Sequence, residues 1–422
     1  MEWSLAIVAF AVLALASVSG RIGGTPVTPA MLFVGIGLLV GPKVLDELDL
    51  ASTSATVQTL AEATLALVLF CDASRINLRQ LRRNANIPVR LLSIGLPLTI
   101  MLGTLAAAAI FGQLSIEEAL IVAVVLAPTD AALGQAVVTE PRVPARIRQG
   151  LNVESGLNDG ICVPLLFIAV AAADVQSDLT GGRDATTLVL EEIGYGIVGG
   201  VAAGLILIAI IRIAGGRHMI DGAWLGVITA AGAALAYGIA VGLHGSGFIA
   251  AFVAGATFGG LLGRDPSELN RLAEEIGNVL NGVTFLIFGA VLLGPALGDL
   301  SWDIVLYAAL SLTAVRMLPV AIAMLGTGAR PVTVAFMGWF GPRGLASIVF
   351  ALILLEESNL PHEHTILLTI YLTVGLSVLL HGMTAAPLAG RYGRWYDAHP
   401  RESRPSMEAA AAPATRPRGA AG

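Results

Sequence analysis

Charged residues are scarce in this sequence. Only 13% of its 422 residues are Asp, Glu, Lys or Arg, whereas 56% are hydrophobic and the mean hydropathy is +0.81. Soluble globular domains carry about 25% charged residues, so this composition excludes an ordinary water-soluble domain. The net charge of −6 leaves no basic footprint of the kind that binds nucleic acid.

Cysteines and nucleotide-binding motifs are also few. Cys71 and Cys162 lie inside apolar stretches without metal-ligand spacing, which indicates packing and neither a disulfide framework nor a zinc site. The sequence contains neither a P-loop nor a Gly-rich nucleotide fingerprint. We therefore expect that the protein binds no cofactor and is not an enzyme. The first apolar run has no basic region before it, so we interpret it as a spanning helix and not as a cleaved signal peptide.

Long apolar runs recur along the whole chain. A run of about 20 residues matches a hydrocarbon core of about 30 Å, because a helix rises about 1.5 Å per residue. Thirteen runs are predicted, near residues 3–20, 26–41, 57–73, 89–111, 116–138, 150–172, 187–213, 220–243, 246–262, 276–296, 303–326, 331–354 and 365–388. The sequence thus predicts an all-α membrane protein with about 13 transmembrane helices.

The basic residues support an odd number of crossings. With the N-terminus outside, 20 of the 24 Lys and Arg residues fall in cytoplasmic loops or in the tail, as the positive-inside rule requires. Lys43 and Arg183 fall outside, and Arg316 and Arg343 fall within the membrane. The Ala-, Pro- and Arg-rich segment 391–422 has too little apolar surface to fold alone, so it is predicted to be a short disordered cytoplasmic tail after a membrane domain at 1–390.

Two interrupted helices divide the chain into similar halves. The motif APTD at 127–130 interrupts the fifth run, and FGPRG at 340–344 interrupts the twelfth. A single linker helix at about 187–213, the seventh run, separates the halves at about 1–172 and 220–390. Corresponding helices of the two halves therefore cross the membrane in opposite directions. The sequence predicts two inverted six-helix repeats whose broken helices cross at the midplane, which is where transporters hold their substrates.

Five ionisable residues stand out because charge inside a span is costly and usually functional. They are Asp130, Glu154, Asp159, Arg316 and Arg343. Counting along the helices places four of them, all but Glu154, about 12 to 18 Å from the cytoplasmic ends. The alternative is that such charges only pair with one another to hold helices together.

The motif NVESGLNDG at 152–160 separates two roles by helical spacing. Ser155 and Asp159 are four residues apart and share a face, whereas Glu154 points away from Asp159. We assign Glu154 to a buried ion pair with an intramembrane arginine, with Arg316 as the preferred partner. Asp159 is the chemical candidate, because a desolvated carboxylate binds a proton more tightly and an approaching cation opposes this. Asn158 adds an amide beside it.

The two breaks offer further ligands. Pro128 releases backbone carbonyls that are able to coordinate a cation, and the Thr129 hydroxyl is another oxygen ligand. Asp130 is expected either at the positive end of the following half-helix or opposite its counterpart across the crossing. Arg343 is expected either to balance Asp130 or the emptied site, or to be a purely structural counter-ion.

Two other polar residues are predicted to lie at helix ends. Asp72 is either an interface acid paired with Arg75 or a ligand of the site. His381 is assigned to a helix end, where a lone histidine is typically a satisfied polar group and not a proton sensor.

These motifs resemble those of the monovalent cation:proton antiporters of the NhaP type, relatives of the animal sodium/proton exchangers. In that family a Thr-Asp on a broken helix is followed by Glu-Ser and Asn-Asp-Gly on the next, here Thr129, Asp130, Glu154, Ser155, Asn158, Asp159 and Gly160. CDASRINLRQLRRN, AVRMLPV, GPRG and HGMTAAPLAG extend the resemblance over nearly the whole chain.

The resemblance implies a 13-helix homodimer in which a six-helix core moves against a dimerisation scaffold. It implies that Asp159 binds cation and proton in turn, that Thr129, Ser155 and Asp72 help to coordinate the ion, and that Glu154 pairs with Arg316. Asn158 implies electroneutral exchange, because related electrogenic exchangers carry Asp there. Two departures concern ion geometry: the proline precedes Thr129, and Asp72 replaces the usual Glu.

The sequence therefore predicts a secondary antiporter in a plasma membrane that exchanges sodium, or lithium or potassium, for protons. Two alternatives stay open on the same scaffold. One is a cation channel or sensor, and the other is a proton-coupled carrier for an organic anion held by Arg316 and Arg343.

Overall fold

The structure is a computed structural model that describes residues 4–22, 25–42, 54–75, 86–176, 185–217, 219–263, 265–357, 360–399 and 406–409. Within these residues every regular element is a helix and no strand occurs. Eight of the helices are long and apolar enough to cross a membrane, and four shorter apolar helices accompany them. Helices satisfy their own backbone polar groups, as a segment that spans lipid must. The protein is therefore an integral membrane protein with several crossings.

Sixteen helices are described. They are α1 (Ser4–Ile22), α2 (Pro29–Val40), α3 (Ser54–Ser74), α4 (Asn86–Ile110), α5 (Ile116–Val125), α6 (Gln135–Thr139), α7 (Ala145–Gln176), α8 (Ala185–Gly216), α9 (Gly222–Gly242), α10 (Gly247–Leu262), α11 (Ser267–Ala296), α12 (Trp302–Ala323), α13 (Pro331–Trp339), α14 (Leu345–Glu357), α15 (Glu363–Asp397) and α16 (Ser406–Ala409).

The predicted apolar runs all overlap these helices, but some bounds differ. Helix α11 begins at Ser267, and α15 continues to Asp397. Hydropathy detects only the part of a helix in lipid, so polar extensions are missed. Ten of the 24 basic residues lie outside the described residues. Six are in loops, namely Lys43, Arg79, Arg82, Arg83, Arg183 and Arg264, and four are in the tail, namely Arg401, Arg404, Arg416 and Arg418.

The two predicted helix interruptions are present. Helix α5 ends at Val125 and α6 begins at Gln135, so residues 126–134 form break 1 around Pro128. Helix α13 ends at Trp339 and α14 begins at Leu345, so residues 340–344 form break 2 around Pro342. Proline has no N–H for the helical ladder and disfavours helical geometry before it, which explains both positions.

The chain divides into two compact units. Unit 1 comprises Met1–Val57, Asn84–Asn158 and Gly282–Gly422, and unit 2 comprises Gln58–Arg83 and Asp159–Asn281. In unit 1 a buried apolar cluster joins α4, α6, α7, α12, α13, α15 and α16; its members include Ile87, Leu91, Val137, Ile147, Leu151, Val320, Phe336, Phe340, Tyr392 and Met407. The Phe336 and Tyr392 rings stack with centroids 4.2 Å apart. Both breaks belong to unit 1.

Close helix packing in unit 2 depends on small residues. Helix α8 packs along α9 and α10, and α3 meets α10 where Gly255 and Gly259 face the backbone of Phe70 and Ser74. A methyl group at either glycine would overlap a carbonyl oxygen of α3. Small residues permit such backbone approach between membrane helices, where dispersion and not the hydrophobic effect drives association.

The C-terminal segment is more ordered than its composition suggests. Helix α15 passes residue 390 because Tyr392 and Tyr396 are buried on it. Residues 406–409 form the short helix α16, in which Met407 is 5% and Glu408 2% exposed. The predicted start of the disordered tail at 391 is therefore too early. Residues 400–405 and 410–422 lie outside the described residues.

Candidate functional site

Asp130 connects the two breaks. Its Oδ2 accepts the backbone N–H of Leu345, the first residue of α14, at 3.0 Å. Its Oδ1 accepts the N–H groups of Ala132 at 2.7 Å and Leu133 at 3.3 Å, and its own N–H donates to the Pro342 carbonyl at 2.7 Å. Asp130 therefore compensates the positive end of α14 across the crossing and also binds the turn that follows it, which joins the two alternatives expected from sequence.

Arg343 makes the complementary contact from break 2. The side chain is fully buried, and its Nη1 donates to the carbonyls of Ala127 at 3.1 Å and Pro128 at 3.4 Å. The Ser347 hydroxyl donates to the Val125 carbonyl at 2.7 Å. These carbonyls belong to the C-terminal end of α5 and to break 1, so a cation is placed at the negative end of a helix. The carbonyls of Val125, Ala127 and Pro128 thus each accept a hydrogen bond from break 2 or α14.

Two glycines of break 2 leave space for charged side chains. A methyl group at Gly341 would overlap the Arg316 guanidinium, and one at Gly344 would overlap the Asp130 carboxylate. The groups that approach these glycines are charged side chains, one from α12 and one from break 1.

Glu154 and Arg316 form a buried pair. Arg316 Nη1 donates to Glu154 Oε1 at 2.7 Å, and Nη2 donates to Oε2 at 2.9 Å. Both side chains are 2% exposed. The structure thus brings together the two residues paired from the sequence, in the bidentate geometry that guanidinium and carboxylate groups favour.

Thr129, Ser155 and Asn158 converge at break 1. The Ser155 hydroxyl donates to the Thr129 carbonyl, and Asn158 Nδ2 donates to Thr129 Oγ1 at 2.7 Å. All three residues are at most 5% exposed. Asn158 Oδ1 makes no hydrogen bond within the described part of the chain. A buried acceptor without a donor costs roughly 1–3 kcal/mol, so this oxygen is suited to a water or a cation.

Asp159 and Asp72 belong to unit 2. Asp159 follows Asn158 in the unbroken helix α7 and is 9% exposed. It lies one turn after Ser155, so the two share a helix face. Asp72, near the end of α3, has an oxygen 4.0 Å from Arg75 Nη1, and Arg75 also pairs with Glu274 of α11. The ion pair is the first of the two roles that the sequence left open for Asp72.

A small cavity reaches the break 1 residues. Its volume is about 20 Å³, enough for a water molecule, which needs about 10–15 Å³. Its walls are Thr129, Asp130, Ala131, Gly134, Val137, Val138, Leu151, Asn152, Ser155, Phe340 and Pro342. No group of three or more His, Cys, Asp or Glu residues is arranged to hold a metal ion in the described ranges. The available ligands are single hydroxyl, amide and carboxylate oxygens, which suit a hard cation.

Sequence analysis missed two polar residues of the crossing, Ser347 and Ser377, and misplaced a third, His381. Ser347 and Ser377 are fully buried, and His381 is 1% exposed. His381 lies inside α15 and not at a helix end, so its predicted position is wrong. A serine or histidine in an apolar run carries no sign of its partner, and only the spacing of Ser377 and His381, one turn apart, hinted that they act together.

Two crossing broken helices, with an intramembrane Asp and Arg at their ends and a buried Asn-Asp pair on a neighbouring helix, are the architecture of a secondary transporter. Comparison with known proteins gives the particular family. The family model described as "Sodium/hydrogen exchanger, transmembrane" matches residues 7–391. The chain belongs to this family, and the resemblance to NhaP-type antiporters is confirmed.

Relatives and solved structures agree. A K⁺/H⁺ antiporter NhaP of Alkalimonas amylolytica is 24% identical over 394 residues, 92% of this chain and 66% of that protein. A Na⁺/H⁺ antiporter of Schizosaccharomyces pombe is 27% identical over 263 residues, 58% of this chain and 55% of that protein. The chain therefore spans less than two thirds of the length of these curated relatives.

The sodium proton antiporter MjNhaP1 of Methanocaldococcus jannaschii has the same fold. The TM-score is 0.77, and the alignment covers 93% of this chain and 100% of that one at 20% identity. Likeness at this level of identity establishes the fold and not the activity.

Proposed function

We propose that this protein exchanges sodium, or the related cations lithium or potassium, for protons, and that Asp159 binds the two in turn. The observation that carries the proposal is the buried Asn158–Asp159 pair on α7, in which the Asn158 oxygen has no donor among the described residues. An acceptor oxygen that lacks a donor next to a buried carboxylate is able to coordinate a cation.

The exchange follows from the chemistry of a buried carboxylate. Desolvation favours the protonated form, whereas a nearby cation favours the ionised form. One carboxylate therefore carries either species and not both. Transport requires that the carboxylate faces each side of the membrane in turn, and no nucleotide hydrolysis is needed. Because Asn158 adds no second charge, we propose one cation per proton and electroneutral exchange.

The other site residues have separate roles in this proposal. Ser155, Thr129 and Asp72 supply ligand oxygens alongside Asn158, as the family resemblance implies. The Asp130 carboxylate already accepts three backbone N–H groups, so we assign it to charge compensation with Arg343, and direct contact with the ion is secondary. Glu154 and Arg316 hold α7 against α12. No cofactor is involved.

The proposal includes the architecture predicted from sequence: 13 crossings, two inverted repeats, a homodimer in a plasma membrane, an outside N-terminus and a cytoplasmic tail. Support comes from the two breaks, which occur at corresponding places in the halves and contact each other through Asp130 and Pro342. The relatives include a K⁺/H⁺ antiporter and a Na⁺/H⁺ antiporter, so potassium and sodium are both ions to test here.

The proposal is tested in proteoliposomes that contain an imposed pH gradient. Sodium, lithium and potassium are added one at a time while the internal pH and the membrane potential are recorded. Wild type should dissipate the pH gradient with at least one cation and without a change in potential. Asp159→Asn should abolish this exchange in a folded protein. Asp303→Asn, an exposed acid in the first turn of α12, is the control and should retain it.

Other outcomes identify the alternatives. A cation current without proton flux would indicate a channel. Proton-coupled uptake of an organic anion that no alkali cation affects would indicate an anion carrier held by Arg316 and Arg343. Full exchange activity in Asp159→Asn would refute the role proposed for this carboxylate.

A further inference from the structure

His381 contacts the end of a broken helix. It lies on α15, is 1% exposed, and its Nε2 is 3.0 Å from the carbonyl oxygen of Trp339. Trp339 is the last residue of α13, and carbonyls at a helix end lack partners within the helix. A carbonyl only accepts, so Nε2 must carry a hydrogen. Trp339 is held to α15 a second time, because its indole Nε1 donates to Thr384 Oγ1 at 3.0 Å.

The other side of the imidazole leads to the far end of break 2. His381 Nδ1 is 3.2 Å from the Ser377 hydroxyl, and that hydroxyl accepts the backbone N–H of Arg343 at 2.6 Å. In a neutral ring with hydrogen on Nε2, Nδ1 is an acceptor. The Ser377 hydroxyl therefore accepts from Arg343 and donates to His381, which satisfies both of its functions.

These bonds continue into break 1. The Arg343 side chain donates to the carbonyls of Ala127 and Pro128, the two residues before Thr129. One chain of hydrogen bonds thus runs from Trp339 through His381, Ser377 and Arg343 to break 1. Buried hydrogen bonds that share donors and acceptors in this way restrict the geometry of the groups they connect.

We propose that His381, in its neutral form with hydrogen on Nε2, is a positioning residue for cation exchange. Together with Ser377 it holds both ends of break 2, so that the Arg343 guanidinium reaches the break 1 carbonyls beside Thr129. In an imidazolium, Nδ1–H would donate to the Ser377 carbonyl, 3.1 Å away, and Nδ1 would no longer accept from the Ser377 hydroxyl. This inference rests on the proposed function.

The test compares three substitutions in this chain of hydrogen bonds. His381→Leu removes both hydrogen bonds, whereas His381→Gln retains a donor and an acceptor on one side chain. Ser377→Ala removes only the hydroxyl that accepts from Arg343. His399→Leu is the matched control, because His399 is a partly buried histidine just after α15, far in sequence from both breaks, that contacts the Trp395 carbonyl.

Two readouts keep this inference separate from the proposed function. Backbone hydrogen exchange in peptides covering residues 340–345 needs no transport, and His381→Leu and Ser377→Ala should each accelerate it about tenfold, as the loss of one buried hydrogen bond predicts. In proteoliposomes the maximal exchange rate of His381→Leu should fall at least about tenfold while the half-saturating cation concentration changes less, since displaced groups mainly affect turnover. His381→Gln should recover most of the rate.

Unchanged hydrogen exchange and turnover in His381→Leu would overturn the inference and leave the proposed function intact. Equal damage from His381→Gln and His381→Leu would also overturn it, because shape and not hydrogen bonding would then matter. If His381→Leu does not fold, Ser377→Ala decides by the same readouts. If wild type transports no cation, the proposed function fails, and hydrogen exchange still decides whether His381 holds break 2.

Discussion

The charged side chains around the crossing are compensated in two different ways. Glu154 and Arg316 bond each other through two hydrogen bonds, whereas Asp130 and Arg343 bond backbone groups at the ends of α14 and α5. A side-chain pair becomes an isolated charge as soon as one partner is removed. A helix end retains its other polar groups and tolerates the loss better.

Glu154→Ala should destabilise the protein strongly, because it leaves Arg316 buried without its carboxylate. The expected loss is about 3–5 kcal/mol, seen as a lower melting temperature and a lower yield of folded protein. Replacing both residues, with Glu154→Leu and Arg316→Leu, should recover part of this loss, because neither charge then remains. A Glu154→Ala protein that melts like wild type and yet transports nothing would show that Glu154 acts in transport.

Glu140→Ala is a control matched in geometry but not in burial. The shortest N–O distance is 2.7 Å in the Glu140–Arg142 pair as in the Glu154–Arg316 pair, but the former side chains are 21% and 46% exposed. An exposed pair contributes about 0–1 kcal/mol. The hydrogen bond from the Arg142 side chain holds the pKa of Glu140 below its usual range. Its contribution is therefore present at neutral pH and is lost only as the pH falls through that lowered value.

At the scale of elements, the helices of unit 2 approach through glycine. Gly259→Ala should loosen the contact of α3 with α10, because the new methyl group would meet the Ser74 carbonyl. Helix propensity alone would favour Ala by about 1 kcal/mol, so the sign of the change reports the contact. Gly260→Ala is the adjacent control, with no atom within 4 Å, and should be neutral or stabilising. Equal melting temperatures for the two variants would argue against the close contact.

Helix α13 receives its N-terminal cap from a distant part of the chain. Its N-cap residue, Arg330, makes no side-chain cap. Glu408 of α16 instead accepts the Arg330 N–H at 3.0 Å and the Thr333 hydroxyl at 2.6 Å. A carboxylate at the N-terminal end also interacts favourably with the helix dipole. Helix α16 therefore stabilises the half-helix that leads into break 2.

Glu408→Ala should therefore accelerate backbone hydrogen exchange in the first turn of α13, by the equivalent of about 1–2 kcal/mol. The exchange of α14 should not change. Glu268→Ala removes an exposed acid from the first turn of α11 and is the control. If α13 exchanges equally fast in wild type and Glu408→Ala, the cap contributes nothing.

At the scale of the whole molecule, the distribution of basic residues predicts the orientation in the membrane. Gly112→Cys is predicted to lie outside and Gly215→Cys inside, and both glycines have open space around their Cα atoms. The native cysteines are buried, so background labelling should be low. A membrane-impermeant maleimide should label Gly112→Cys in intact cells and Gly215→Cys only after permeabilisation. Labelling of both in intact cells would refute the predicted number of crossings between them.

The sequence by itself determined the environment of each segment and the places where helices stop. Apolar runs predict helices because lipid requires internally satisfied backbones, and Pro128 and Pro342 mark both breaks because proline disrupts the helical ladder wherever it stands. The Glu154–Arg316 pair was also foreseeable, since few partners exist for a charge in a membrane. These features depend only on the chemistry of the individual residues and of their neighbours in the sequence.

Only the tertiary structure decided which groups meet. The sequence gives no signal that Arg343 donates to the Ala127 carbonyl or that Glu408 caps α13. It leaves two positions open for Asp130, which binds the start of α14 and also the turn after it. These partners are far apart in the chain, and each polar group has several chemically equivalent candidates. The packing of the helices fixes their pairing, because it sets the distance between groups on different helices. Hydropathy and spacing along one helix do not determine that distance.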